Sequence, residues 1–199
     1  MLRILDAPKS IQKGYPLKNV PGSEAVNYLS NNISYAHPEF RIKEFQKAVL
    51  DNMQSLEFMD RGVHIARVLR RFLPDKYEKA IRITLASLTP PNAETEGLGL
   101  AVLFYHPHGC FVSEYGLDKI HNDGDDPFDI SMKAQYELTR RNTSEFSIRP
   151  FLIHEQKRTL SILKKWINDP DPQVRRLCSE STRSRLPWAP RIPAFLKYP

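Results

Sequence analysis

Apolar residues along this chain recur three and four positions apart, and proline or glycine marks the places where the spacing breaks. Phe40, Phe45, Val49 and Met53 share one helical face after a start at His37-Pro38, and Val63, Ala66, Val68, Leu69 and Phe72 share another before Pro74. Asp75 to Leu88 gives a further helix. After the polar turn HNDGDD a helix is predicted from about Pro127 to Arg141, and a short one follows the capping pair Thr143-Ser144. The segment from Leu98 to Tyr105 is apolar and short, a pattern shared by a strand and by the start of a buried helix. It is read as helix. Strand-like alternation is otherwise almost absent, so the predicted fold class is all-α.

From Glu155 onward the pattern sharpens into a helix pair. Leu160, Leu163, Trp166 and Ile167 form the first apolar stripe, and Asn168-Asp169-Pro170 turns the chain into Asp171-Pro172-Gln173-Val174-Arg175-Arg176. An acid and a proline at a helix start satisfy free amides and fix the first turn. Pairs of about 35 to 45 residues with Asp-Pro at the inner turn are HEAT-like, and stacked they make a curved solenoid with a concave face. The expected organisation is an N-terminal arm over residues 1–20 followed by a HEAT-like repeat domain over residues 21–199.

Charge adds direction to this picture. Residues 131–199 hold 14 Lys and Arg against 6 Asp and Glu, whereas residues 1–130 hold 15 against 17. A basic C-terminal third beside a near-neutral body suits one face meeting a polyanion, and equally suits a solvated helical surface. No apolar run approaches the roughly 20 residues of a membrane helix, and the first residues lack the apolar stretch of a secretion signal. Cys110 and Cys178 are the only cysteines, too few for a disulfide framework. A soluble cytoplasmic monomer without an obligate protein partner or a membrane partner is expected.

The residues with the most chemistry lie at the end of the last predicted helix, where ESTRSRLPW gathers a carboxylate, hydroxyl and basic turn residues and an indole. Such a cluster suits a cationic base held against a negatively charged backbone. Together with EFSIRPFL at Glu145 to Leu152 and the DPDPQVRRLCSE helix, the segment ESTRSRLPWAPRIPAF resembles AlkC-type DNA alkylation repair glycosylases. Upstream, FMDRGVHIARVLRRFLPDKYEKA is similar to the N-terminal helices of that family, so the resemblance runs from about Phe40. It implies a HEAT-like superhelical enzyme that excises N3-methylated adenine and cytosine from duplex DNA without metal or cofactor. The catalytic and lesion-contacting positions it implies are Glu145, Glu180 and Trp188. It also implies a catalytic aspartate in a repeat beyond Phe195, which this sequence lacks; the ending APRIPAFLKYP suggests truncation, or else an essential acid is missing.

Each position has a plainer alternative. Glu145, just after Thr143-Ser144, also suits a helix dipole, and Glu180 also suits an ion pair with Arg183 or Arg176. Trp188 between Pro187 and Pro190 also suits a packing plug. Arg183, Arg185, Arg140 and Arg141 are candidate phosphate contacts, and Arg149 is expected to pair with Glu145 across one helical turn. His106, His108, Cys110 and His121 lie close in sequence, but alternate positions on a helix diverge, so metal binding is not expected. Gly97-Leu98-Gly99 lacks the third glycine of a dinucleotide loop and reads as a hinge. A noncatalytic HEAT-like module that binds DNA or protein is the alternative function.

Overall fold

The computed structural model describes residues 4–93 and 99–197. Among them the secondary structure is helical throughout, with no strand. The longer helices are α1 (Ser23–Ala36), α2 (Ile42–Leu50), α3 (Phe58–Arg70), α4 (Tyr77–Ala86), α5 (His106–Tyr115), α6 (Phe128–Thr139), α7 (Arg149–His154), α8 (Gln156–Trp166) and α9 (Pro172–Ser181), with a last turn, α10, at Ala194–Lys197. Helices pack both on their neighbours in sequence and on helices further along the chain. α1 lies on α2 and α4, α3 on α5, α5 and α4 on α6, and α9 closes the array against α6 and α8.

The 3.6-residue periodicity explains the core. On α1 the positions Ala25, Val26, Leu29 and Ile33 are buried, on α2 Phe45 and Val49, and on α3 Ile65, Ala66, Val68 and Leu69. The boundaries follow local chemistry. Phe40 precedes α2 and Met53 follows it in a 3-10 turn, because Asn52 breaks the helix with a left-handed φ of 61°. α9 begins as its sequence predicts: the Asp171 carboxylate accepts from the Gln173 amide at 2.8 Å, and Pro172 occupies the first turn.

Two pieces differ from the periodicity reading. The apolar run Gly99–Tyr105 is a 3-10 segment leading into α5, while Gly97 and Leu98, the rest of the expected hinge, lie outside the described residues. Glu145 is not in the first turn of a helix. α7 starts only at Arg149, and Glu145 sits in the turn before it, so it does not face that helix's amides.

α3 and α5 form the most extensive helix–helix contact among the described residues, and Gly62 lets them approach. A side chain there would collide with the His106 ring and with Cys110 Sγ. Residues 4–20 lie along this body: Asn32 exchanges two hydrogen bonds with the Leu5 backbone at 2.7 and 2.8 Å, and Ile11 and Val20 pack behind Phe58.

Candidate functional site

A cavity of about 300 Å³ opens between the start of α3, the turn before α7, the end of α9 and the loop that follows it. Glu145, Glu180, Arg183 and Trp188, which sequence reasoning picked out separately, all line it, as does Arg176. The turn bearing Glu145 is held from inside: the buried Ser147 hydroxyl lies within hydrogen-bond distance of the Gln135 side-chain amide on α6 (2.6 Å) and of the Ser144 carbonyl (3.0 Å). This fixes the backbone under a carboxylate that is itself only 6% exposed.

Both carboxylates are ion-paired within the cavity. Glu145 accepts from the guanidinium of Arg176, one helix away on α9, and Glu180 Oε2 accepts from Arg183 Nη1 at 2.7 Å. The two arginines are about half exposed, the acids much less. The four formal charges of the lining therefore cancel in pairs.

One wall is aromatic. Trp188 leans on Phe58 with ring centroids 5.7 Å apart, Phe58 stacks on His106 at 4.6 Å, and His106 meets Phe146 at 4.8 Å. Burial pushes the His106 pKa down to about 4, against a hydrogen bond with the Met59 backbone that raises it, so the ring is neutral at pH 7. Trp188 is 63% exposed and stands at a left-handed φ of 59°, a costly conformation for a bulky residue. That exposure is inconsistent with a packing plug. The indole is presented to solvent at the cavity rim.

The loop from Thr182 to Arg191 makes little regular structure, and Pro187 and Pro190 prevent it from doing so. It is anchored by Arg149. This residue is completely buried and donates to the carbonyls of Ser181 (2.9 Å), Arg183, Ser184 (3.4 Å) and Pro190 (2.9 and 2.6 Å). Arg149 therefore does not pair with Glu145, the contact expected from helical spacing. No helical turn joins the two, and the four carbonyls take up the guanidinium instead.

No protein-family model matches the sequence. YhaZ of Bacillus subtilis (strain 168), an uncharacterised protein, is 29% identical over 184 residues, which is 92% of this chain and 47% of YhaZ. Among solved structures, the alkylpurine DNA glycosylase AlkC of Pseudomonas fluorescens, bound to DNA containing an abasic site analogue, matches with a TM-score of 0.72 and 28% identity over 89% of this chain. The chain is AlkC-like. It spans about half the length of both relatives, 47% of one and 45% of the other.

In this AlkC-like fold the remaining candidate arginines are not equivalent. Arg185 is exposed and pairs with no carboxylate among the described residues. Arg140 is tied to Asp171 at 3.0 Å and stacks over Tyr136. Arg141 is buried, donating to the Thr89 and Glu137 carbonyls and to the Glu137 carboxylate at 3.0 Å, so its expected role as a phosphate contact is corrected: its charge is used inside the protein. Among the described residues no group of three or more His, Cys, Asp or Glu is arranged to hold a metal ion, and no helix is long and apolar enough to cross a membrane. His106 and Cys110 stack one turn apart, 3.5 Å between Nε2 and Sγ, while His108 is buried against Phe104 and Tyr105. Phe58, His106 and Phe146 were not singled out as site residues. Only the fold brings the three elements that carry them together.

Proposed function

We propose that this chain acts in DNA alkylation repair, hydrolysing the N-glycosidic bond of N3-alkylated, cationic bases such as 3-methyladenine or 3-methylcytosine in duplex DNA. The observation that carries this reading is the meeting of Glu145, Glu180 and Trp188 in one cavity of an AlkC-like fold. The chemistry is consistent with those residue types. N3-alkylation makes the base a cation and a good leaving group, so no general acid is needed. What remains of the barrier is positive charge growing on the deoxyribose as the bond breaks. A fixed carboxylate stabilises that charge by about 3 to 4 kcal/mol if it acts as preorganised donors do on an oxyanion, with the sign reversed.

In this reading Glu145 stabilises the sugar cation and orients the attacking water, Glu180 supports it, and the Trp188 indole contributes cation–π attraction of about 0.5 to 2 kcal/mol to the base. Arg183 and Arg185 grip phosphates from the loop, and the HEAT-like array offers its basic face to the duplex. No resident metal or cofactor is required by this chemistry.

Release of methylated bases from an alkylated duplex tests the proposal, with Glu145→Gln alongside. Excision should fall about 100-fold in the variant while duplex binding changes little. Duplex binding without any base release by the parent chain would overturn the enzymatic reading and favour a noncatalytic DNA-binding module. Loss of folding and binding together in the variant would leave Glu145 with a structural role only.

A further inference from the structure

The charged groups lining the cavity balance one another, whereas a cationic ligand calls for a net negative lining. Its two carboxylates already have partners, and an aromatic wall alone gives weak selectivity. The two ion pairs differ from structural ones in a particular way. Glu145 is buried and fixed by its turn, whereas its partner Arg176 is half exposed and sits on a different element. Arg176 is the only hydrogen-bond partner of the Glu145 carboxylate among the described residues. A buried carboxylate with no counterion is strongly disfavoured, so whichever cation can reach it must stay unless another takes its place.

We propose that Arg176 is a place-holding counterion: entry of a ligand into this cavity is an exchange of cations, in which a cationic heterocycle takes the position beside Glu145 and the guanidinium swings outward. This rests on the reading of the cavity as the site that receives the alkylated base. Arg183 pairs likewise with Glu180 at 2.7 Å, though from three residues along the same chain segment and with a carboxylate that is partly exposed. With both guanidiniums turned out, the lining changes from net neutral to two uncompensated carboxylates facing an aromatic wall.

The exchange makes selectivity a property of charge balance rather than of shape. A neutral base of the same outline can enter only by leaving a buried carboxylate unpaired or by sharing the space with the guanidinium. A cationic base meets neither obstacle. The displaced arginines remain on long, flexible stems at the rim of the cavity, Arg183 in the loop and Arg176 midway along α9, both exposed to solvent.

The test uses titration calorimetry with two small probes of nearly equal shape, the permanently cationic 3,9-dimethyladeninium and neutral 9-methyladenine. The parent chain should bind the cation and not the neutral probe. Arg176→Gln should bind the cation about tenfold more tightly, because the competing charge is gone, with little change for the neutral probe. Arg176→Lys, which restores a cation, should return the affinity to within about twofold of the parent. Glu145→Gln should abolish the preference. Cation binding that is lost in Glu145→Gln but unchanged or weakened in Arg176→Gln overturns the exchange and leaves the reading of the cavity standing. Failure of every form of the protein to bind the cation removes the cavity as a cation site, and the exchange with it. Arg176→Lys should melt near the parent and Arg176→Gln below it, since Gln leaves the buried Glu145 carboxylate without a counterion, and circular dichroism at the titration temperature confirms that both are folded.

Discussion

Arg149 holds Pro190 by its carbonyl, with Nε at 2.9 Å and Nη2 at 2.6 Å, across 41 residues of sequence. The same guanidinium reaches three more carbonyls at the start of the loop, so one buried side chain fastens both ends of the segment that bears Arg183, Arg185 and Trp188. Arg149→Lys would keep the charge but lose the fork, leaving buried carbonyls unsatisfied. A loss of about 3 kcal/mol in stability is expected, read from urea denaturation, together with protease cleavage between Thr182 and Arg191. Unchanged stability would show that water can replace the guanidinium there.

Gly62 sets how close α3 comes to α5, and His106 lies directly against it. Gly62→Ala should push the imidazole off Phe58 or separate the helices, lowering the melting temperature and weakening base excision together. The expected cost is about 1 to 3 kcal/mol, the range for overpacking a core. The substitution also raises helix propensity, so a stabilised protein would mean that the ring moves aside freely.

Burial lowers the pKa of both His106 and His108 to about 4, from an ordinary value near 6.5. Between those limits the unfolded chain binds protons that the folded one refuses, so stability rises with pH across that window. As the pH falls from 6.5 to 4 the protein should lose stability, at about 1.4 kcal/mol for each pKa unit at each fully coupled histidine. Melting curves over this range check the sign. In His106→Phe the dependence should become shallower.

Trp188 occupies a left-handed backbone position while its side chain is mostly solvent-exposed. Two effects are separable there. Trp188→Gly relieves the backbone and Trp188→Ala does not, so the glycine form should be more stable than the alanine form by about 1 kcal/mol. Both should lose affinity for a duplex with a methylated base to a similar extent, since both lack the indole. An alanine form as stable as the glycine form would argue that the loop relaxes out of this conformation.

The basic last third predicts that affinity for any duplex falls with salt at a log–log slope of about −4 to −7, as for five to eight phosphates. Arg183→Gln and Arg185→Gln should each make the slope shallower by about 1, whereas Arg141→Gln should lower stability instead, because its guanidinium is internal. A slope near zero in the parent chain would remove duplex DNA as the partner.

Much of the helical plan was legible because helices write their burial into local spacing. Ala25, Val26, Leu29 and Ile33 carry as clear a stripe as any, and α1 was there to be found. α5 was harder to see, since HPHGC buries a histidine, a proline and a glycine where an aliphatic stripe is the usual signal. At the site, Glu145, Glu180 and Trp188 were nameable from linear motifs, as was the Arg183 partner of Glu180 three residues on, but the partner of Glu145 was not. Whether Arg149 or Arg176 meets Glu145 depends on where α7 begins and how α9 lies across the turn, and neither is encoded in neighbouring residues. Arg141 shows the same limit from the other side. An arginine at a helix end looks solvent-facing until the Thr89 carbonyl is brought against it.

Because Arg149 grips only main-chain oxygens, the hold it has on the loop does not depend on which side chains the gripped residues carry. Exposed side chains of the loop such as Arg185 can then be exchanged while that anchorage is kept. That makes the rim of the cavity a replaceable part on a fixed mount, where new ligand preferences can be tried by single substitutions without first re-inventing the fold.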